Sequence, residues 1–115
     1  MSDYKDLNVW KKSMDLAQNI YEITRDFPHD EIYGLTSQMR RCAVSIPSNI
    51  AEGSGRSGRK EFKHFLHISL GSAAELETQL LLCERVGLNN ETDQIITEIT
   101  SIRKMIHSLI RTLKD

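Results

Sequence analysis

The sequence predicts an all-α protein, an up-down-up-down antiparallel four-helix bundle that fills one domain over residues 1–115, its second helix kinked near Pro47. Three observations lead there. Apolar residues recur at three- and four-residue spacing in four separate stretches, the signature of helices that bury one face. Between the stretches stand residues that end helices: Pro28, the run Gly53-Ser54-Gly55-Arg56-Ser57-Gly58, and Gly87. With 115 residues, 39% hydrophobic and 27% charged, the chain can bury one core and has no room for a second domain.

From Leu7 to Phe27 the stripe is Trp10, Leu16, Ala17, Ile20, Tyr21, Thr24 and Phe27, and Pro28 blocks continuation. Pro28 or Asp30 opens the second helix, with Ile32, Leu35, Met39, Cys42, Ala43, Ile46 and Ile50 inward. Pro47 frees the carbonyl of Ala43, which predicts a kink and continuation to about Gly53, with Ser45, Ser48 or Asn49 satisfying loosened backbone. The alternative is a stop at Ile46 followed by a short turn. The glycine-rich run connects to the third helix, with Ser57 as its cap. Phe62, Phe65, Leu66, Ser69, Leu70, Ala73, Leu76, Glu77, Leu80 and Cys83 or Glu84 trace that helix, and Gly87 stops it. Asn89 or Asn90 caps the fourth, where Ile95, Ile99, Ile102, Ile106, Leu109 and Leu113 alternate spacings of four and three, and Ile96, Met105 and Ile110 widen the face.

Leu80, Leu81 and Leu82 are consecutive and spread over about 200° of helix, more than one face can bury. With Leu7 and Trp10 at the start of the first helix and Ile96 and Ile110 on the last, Leu81 and Leu82 form a candidate oligomer interface. The plain alternative is scattered exposed apolar residues, which are common.

Fifteen Lys and Arg against sixteen Asp and Glu give a net charge of -1, so no global field draws the protein to nucleic acid or lipid. Any such binding is local. Cys42 and Cys83 lack the spacing of a disulfide scaffold or a C-x-x-C site and are expected as core thiols in the cytoplasm. Met1 to Lys12 has charges of both signs and no apolar core region, and no apolar run reaches the ~18 residues of a membrane span. Neither secretion nor membrane insertion is expected.

Gly53, Gly55 and Gly58 match G-x-G-x-x-G, yet the segment before them has helical rather than strand periodicity and holds Pro47. A nucleotide fold is therefore rejected. What remains is an anion site: a glycine turn opening a helix, with Arg56, Arg59, Lys60 and Lys63 beside the single acid Glu61. Arg40 and Arg41 extend it if they share its side. These six residues are the candidate nucleic-acid contacts; the alternative is a solvated, solubilising helix start. Glu61 and His64 have Glu-x-x-His spacing, but no second pair completes a metal site. Neither cysteine has a sequence-adjacent base, so no catalytic residue, metal, cofactor or small-molecule substrate is expected.

Several segments together are more specific than these motifs. Leu7-Asn8-Val9-Trp10-Lys11, Phe27-Pro28, Tyr33 through Arg41, Ser45 through Gly53 with Gly55-Arg56, and Gly71-Ser72 with Glu75-Leu76 resemble the four-helix bundle family encoded by intervening sequences of bacterial 23S ribosomal RNA genes. The resemblance implies an up-down bundle, a ring-like homopentamer and no enzymatic activity. It also implies kinship with accessory proteins of diversity-generating retroelements, pentamers that bind nucleic acid through strongly basic surfaces. With a net charge of -1 this sequence departs from that branch. RNA or DNA is an expected partner through the local cation cluster, and a protein-interaction module without nucleic acid is the alternative.

Overall fold

The heptad-like pattern at the end of the chain is the best place to see how sequence becomes structure. Ile95, Ile99, Ile102 and Ile106 line one side of a helix and are all buried. The computed structural model describes residues 3–89 and 91–113. Among them are four α-helices: α1 (Asn8–Thr24), α2 (Ser37–Ser54), α3 (Arg59–Arg85) and α4 (Thr92–Thr112). No strand occurs among the described residues.

Each helix packs on its neighbours in sequence, and α4 closes back onto α1. Cross-helix contacts fix the directions. Arg40 near the start of α2 reaches Thr24 at the end of α1, while Met39, Ser45 and Ile46 of α2 meet Cys83, Ser72 and Ser69 of α3 in descending order. Glu77 and Glu84 of α3 likewise meet Arg103 and Thr92 of α4. Sequential neighbours are therefore antiparallel, as short connections require, in a body of 45 × 22 × 20 Å.

The first helix ends at Thr24 rather than Phe27. The residue before a proline is kept from helical dihedrals, so the last turn tightens into three-residue bonds from Arg25 to Glu22 and from Phe27 to Thr24. Its buried stripe begins at Val9 instead of Trp10, which is half-buried with its ring edge-on to Tyr4 at 5.3 Å.

The second helix differs more. A 3-10 turn (His29–Glu31) and a π-helical turn (Ile32–Thr36) precede α2, and the backbone leaves helical dihedrals at Gly34, with φ -109° and ψ -117°. This break at Gly34, a residue with poor helix propensity, is not expected from the sequence. It turns Ile32 out of the inward stripe and leaves Tyr33 96% exposed. Helix α2 then runs through the buried Pro47 to Ser54, as continuation predicts. Side chains serve the loosened turn: Asn49 Nδ2 donates to the Ser45 carbonyl at 2.8 Å, and Ser69 Oγ donates to that of Ile46 at 2.9 Å.

Gly53 belongs to α2 and is buried where α2 meets α3. Ser57 does not cap α3; Gly58 holds the cap position in extended conformation with no side-chain bond. Gly87, at φ +77°, ends α3 in a left-handed turn, and Leu88 donates its amide to the Cys83 carbonyl at 2.9 Å. Asn89 does not cap α4 either. Its Oδ1 accepts from the Glu91 amide, and Glu91 holds the cap position; the alternative, Asn90, lies outside the described residues.

Candidate nucleic-acid interface and assembly face

Three features of the fold decide where the candidate residues sit. Antiparallel packing puts the head of α2 beside the end of α1, the corner between α2 and α3 lies at the opposite end, and about 23 Å of helix separates Arg40 and Arg41 from Arg56. The six cations therefore form two patches and no common surface.

In the corner patch, Arg56 Nη2 pairs with Glu52 at 2.7 Å, its Nε lies 4.0 Å from Glu61, and its guanidinium covers the Phe65 ring at 5.1 Å. Two carboxylates thus compensate the first cation of the cluster. Lys60 is exposed and shares a shallow depression with Arg56, Glu61, His64 and Phe65. Arg59 is exposed and Lys63 half-buried on the same turn of α3. At the other end, Arg40 is half-buried and held in place. Its Nε donates to Thr24 Oγ1 at 2.9 Å, and its guanidinium lies 4.6 Å from the centre of the Tyr21 ring. Arg41, next in sequence, is exposed.

The apolar candidates divide too. Leu80 is fully buried while Leu81 and Leu82 are each 46% exposed, as three consecutive leucines demand. Leu7, Trp10, Ile96 and Ile110 instead pack against the core from its margins. Tyr21, expected on the inward stripe of α1, is 42% exposed. Sequence reasoning missed other exposed apolar residues: Met14 on α1, Tyr33 ahead of α2, Val44 on α2, Ile68 on α3 and Val86 just after it. The signal was their position off the inward stripe. A groove of about 480 Å³ between α1 and α2 is lined by Trp10, Met14, Tyr21, Val44 and Pro47 among others.

Neither thiol is placed for chemistry. Burial pushes the Cys42 thiol up from its ordinary 9.0 to about 11, with Glu75 adding to the rise, and burial likewise raises Cys83, whose Sγ lies 3.5 Å from Met39 Sδ. A native thiol that stays protonated while the unfolded one ionises loses stability as pH rises. The contribution of Cys42 is whole below about pH 9 and falls away towards pH 11. Urea denaturation across that range should show the loss, and replacing Cys42 with alanine should flatten it. Among the described residues no group of three or more His, Cys, Asp or Glu could hold a metal ion. None of the helices is long and apolar enough to cross a membrane.

The comparison with known families now has a fold to attach to. The model of the 23S rRNA-intervening sequence protein family matches residues 5–108, all four helices except the last residues of α4. The chain belongs to the 23S rRNA-intervening sequence protein family. A crystal structure from Bacteroides thetaiotaomicron VPI-5482, a protein of unknown function from the S23 ribosomal protein family, superposes with a TM-score of 0.79 at 28% identity. The alignment covers 90% of this chain and 98% of that one. No curated protein matches the sequence. The family match and the structural neighbour both agree with the bundle.

Proposed function

We propose that this intervening-sequence protein is a non-enzymatic cytoplasmic scaffold that assembles into a ring-like homopentamer and contacts RNA or DNA through its basic patches. One observation carries the assembly: exposed apolar residues lie on two different faces, Ile68, Leu81 and Leu82 on α3 with Val86 just after it, and Met14 and Val44 along the α1–α2 groove. Two different faces suit a head-to-tail contact, which closes into a ring when the rotation allows. Light scattering at micromolar concentration should return about 66 kDa for five 13.2 kDa chains. A mass of 13.2 kDa ends the assembly reading.

The nucleic-acid contact is supported by Arg41 and Lys60, which are both exposed at opposite ends of the body. Filter binding to structured RNA over a salt series should show affinity that falls as salt rises, and its absence at low salt removes the claim. The compensation of Arg56 by Glu52 and Glu61 favours a second reading, a protein-interaction module with no nucleic acid. A partner that stays bound after nuclease treatment separates the two.

A further inference from the structure

We propose that the groove at the head of α2 binds single-stranded nucleic acid, stacking a base on Tyr33 and taking phosphate oxygens on Arg40 and Arg41. The proposal rests on the nucleic-acid part of the reading above and moves its centre from the α2–α3 corner to the opposite end.

The groove measures about 550 Å³, and Tyr21, Tyr33, Ser37, Arg40, Arg41 and Val44 form most of its lining. Small-ligand sites span roughly 300–1,000 Å³. No carboxylate lines it, whereas Glu61 lines the corner depression and Glu52 pairs with Arg56 there. A second, smaller hollow of about 230 Å³ shares Thr36 and Arg40 with the groove and adds Arg25 and His29, again without an acid. Cations with no acid among the linings of two adjoining hollows favour an anionic ligand.

The aromatic component decides which anion. Tyr33 is 96% exposed, beside the break at Gly34 that throws it clear of the helix stripe. A ring in that position contributes nothing to the core, and it offers both faces to a flat partner. Bases of a duplex are stacked on each other and cannot reach it; those of a single strand can. Arg40 is organised in advance, since its bond to Thr24 and its seat on Tyr21 hold the guanidinium at the groove wall with donors to spare. Thr36, only 5% exposed, borders the same groove, and among the described residues its Oγ1 has no hydrogen-bond partner.

The test is fluorescence anisotropy with a labelled single strand of about 12 nucleotides and the duplex of the same sequence, using the intact protein at low salt. The single strand should bind more tightly than the duplex. Tyr33→Ala should weaken it roughly 5- to 150-fold, and Tyr33→Phe, which keeps the ring, should stay within about twofold. Arg41→Ala should lower the slope of log affinity against log salt by about 0.7. Unchanged binding in Tyr33→Ala, or equal affinity for the duplex, overturns the proposal. So does a drop in mass to a single chain for Tyr33→Ala, which assigns the groove to assembly. If Lys60→Ala abolishes binding while Tyr33→Ala does not, the groove is wrong and the wider nucleic-acid reading stands; if no strand binds at low salt, both fall.

Discussion

Alanine at Gly53 should destabilise the bundle by about 1–3 kcal/mol, against the usual rule that alanine improves a helix. A Cβ at this position would stand 2.7 Å from Phe65 Cβ and 2.9 Å from Phe62 Cδ1, with the Phe62 carbonyl at 3.3 Å. Phe65 Cβ is one bond from its backbone and cannot swing aside, so α2 and α3 must separate at their closest approach. The helix-propensity gain of about 1 kcal/mol on replacing glycine works in the opposite direction. The net loss therefore measures the clash less that gain. Urea denaturation should show a lower midpoint at constant slope, and a raised midpoint would mean the helices yield without cost.

Glutamate at both Leu81 and Leu82 should turn the proposed homopentamer into free 13.2 kDa chains that keep their helices. Both leucines are half-exposed on α3 and outside the core cluster, and glutamate is a good helix former, so the single chain loses little. An assembly that buries this face would have to desolvate two carboxylates in every contact, at a cost of several kcal/mol each. Light scattering reads the mass, and circular dichroism checks the helices. A variant that keeps its full mass shows that copies meet elsewhere, with the α1–α2 groove the next face to substitute.

Both expectations show what the sequence could and could not tell. Periodicity placed α3 and α4 within a few residues, because a stripe of Ile95, Ile99, Ile102 and Ile106 has one compact solution. The leucine surplus was equally legible, since the geometry of a helix alone forbids burying three in a row. Gly53 was not: as a letter it belongs to a glycine-rich turn, and only the distance between two helices makes it the point where a side chain is excluded. The break at Gly34 was hidden because Ile32, Leu35 and Met39 keep helical spacing across it. The candidate cations could be named from the sequence, which left open whether Arg40 and Arg41 share a side with Arg56; the fold puts them at the other end of α2. Which end of a rod a residue occupies depends on where the preceding turn falls, and α2 carries Arg41 and Arg56 to opposite ends.

The serines between α2 and α3 have one more effect. Ser45 Oγ meets Ser72 Oγ at 2.8 Å, Asn49 Nδ2 reaches Ser45 Oγ at 2.9 Å, and Ser69 Oγ holds the Ile46 carbonyl. Apolar stripes alone let two rods slip past each other by a turn and meet again almost as well; directional bonds at fixed heights do not, because a slip of about 5.4 Å breaks both the Ser45–Ser72 and the Ser69–Ile46 bond. The serines act as keys on a shaft. The tips of the molecule are consequently locked at a set span, and a strand bound to Arg41 and Lys60 of one chain, as proposed above, would have to stretch the same length every time.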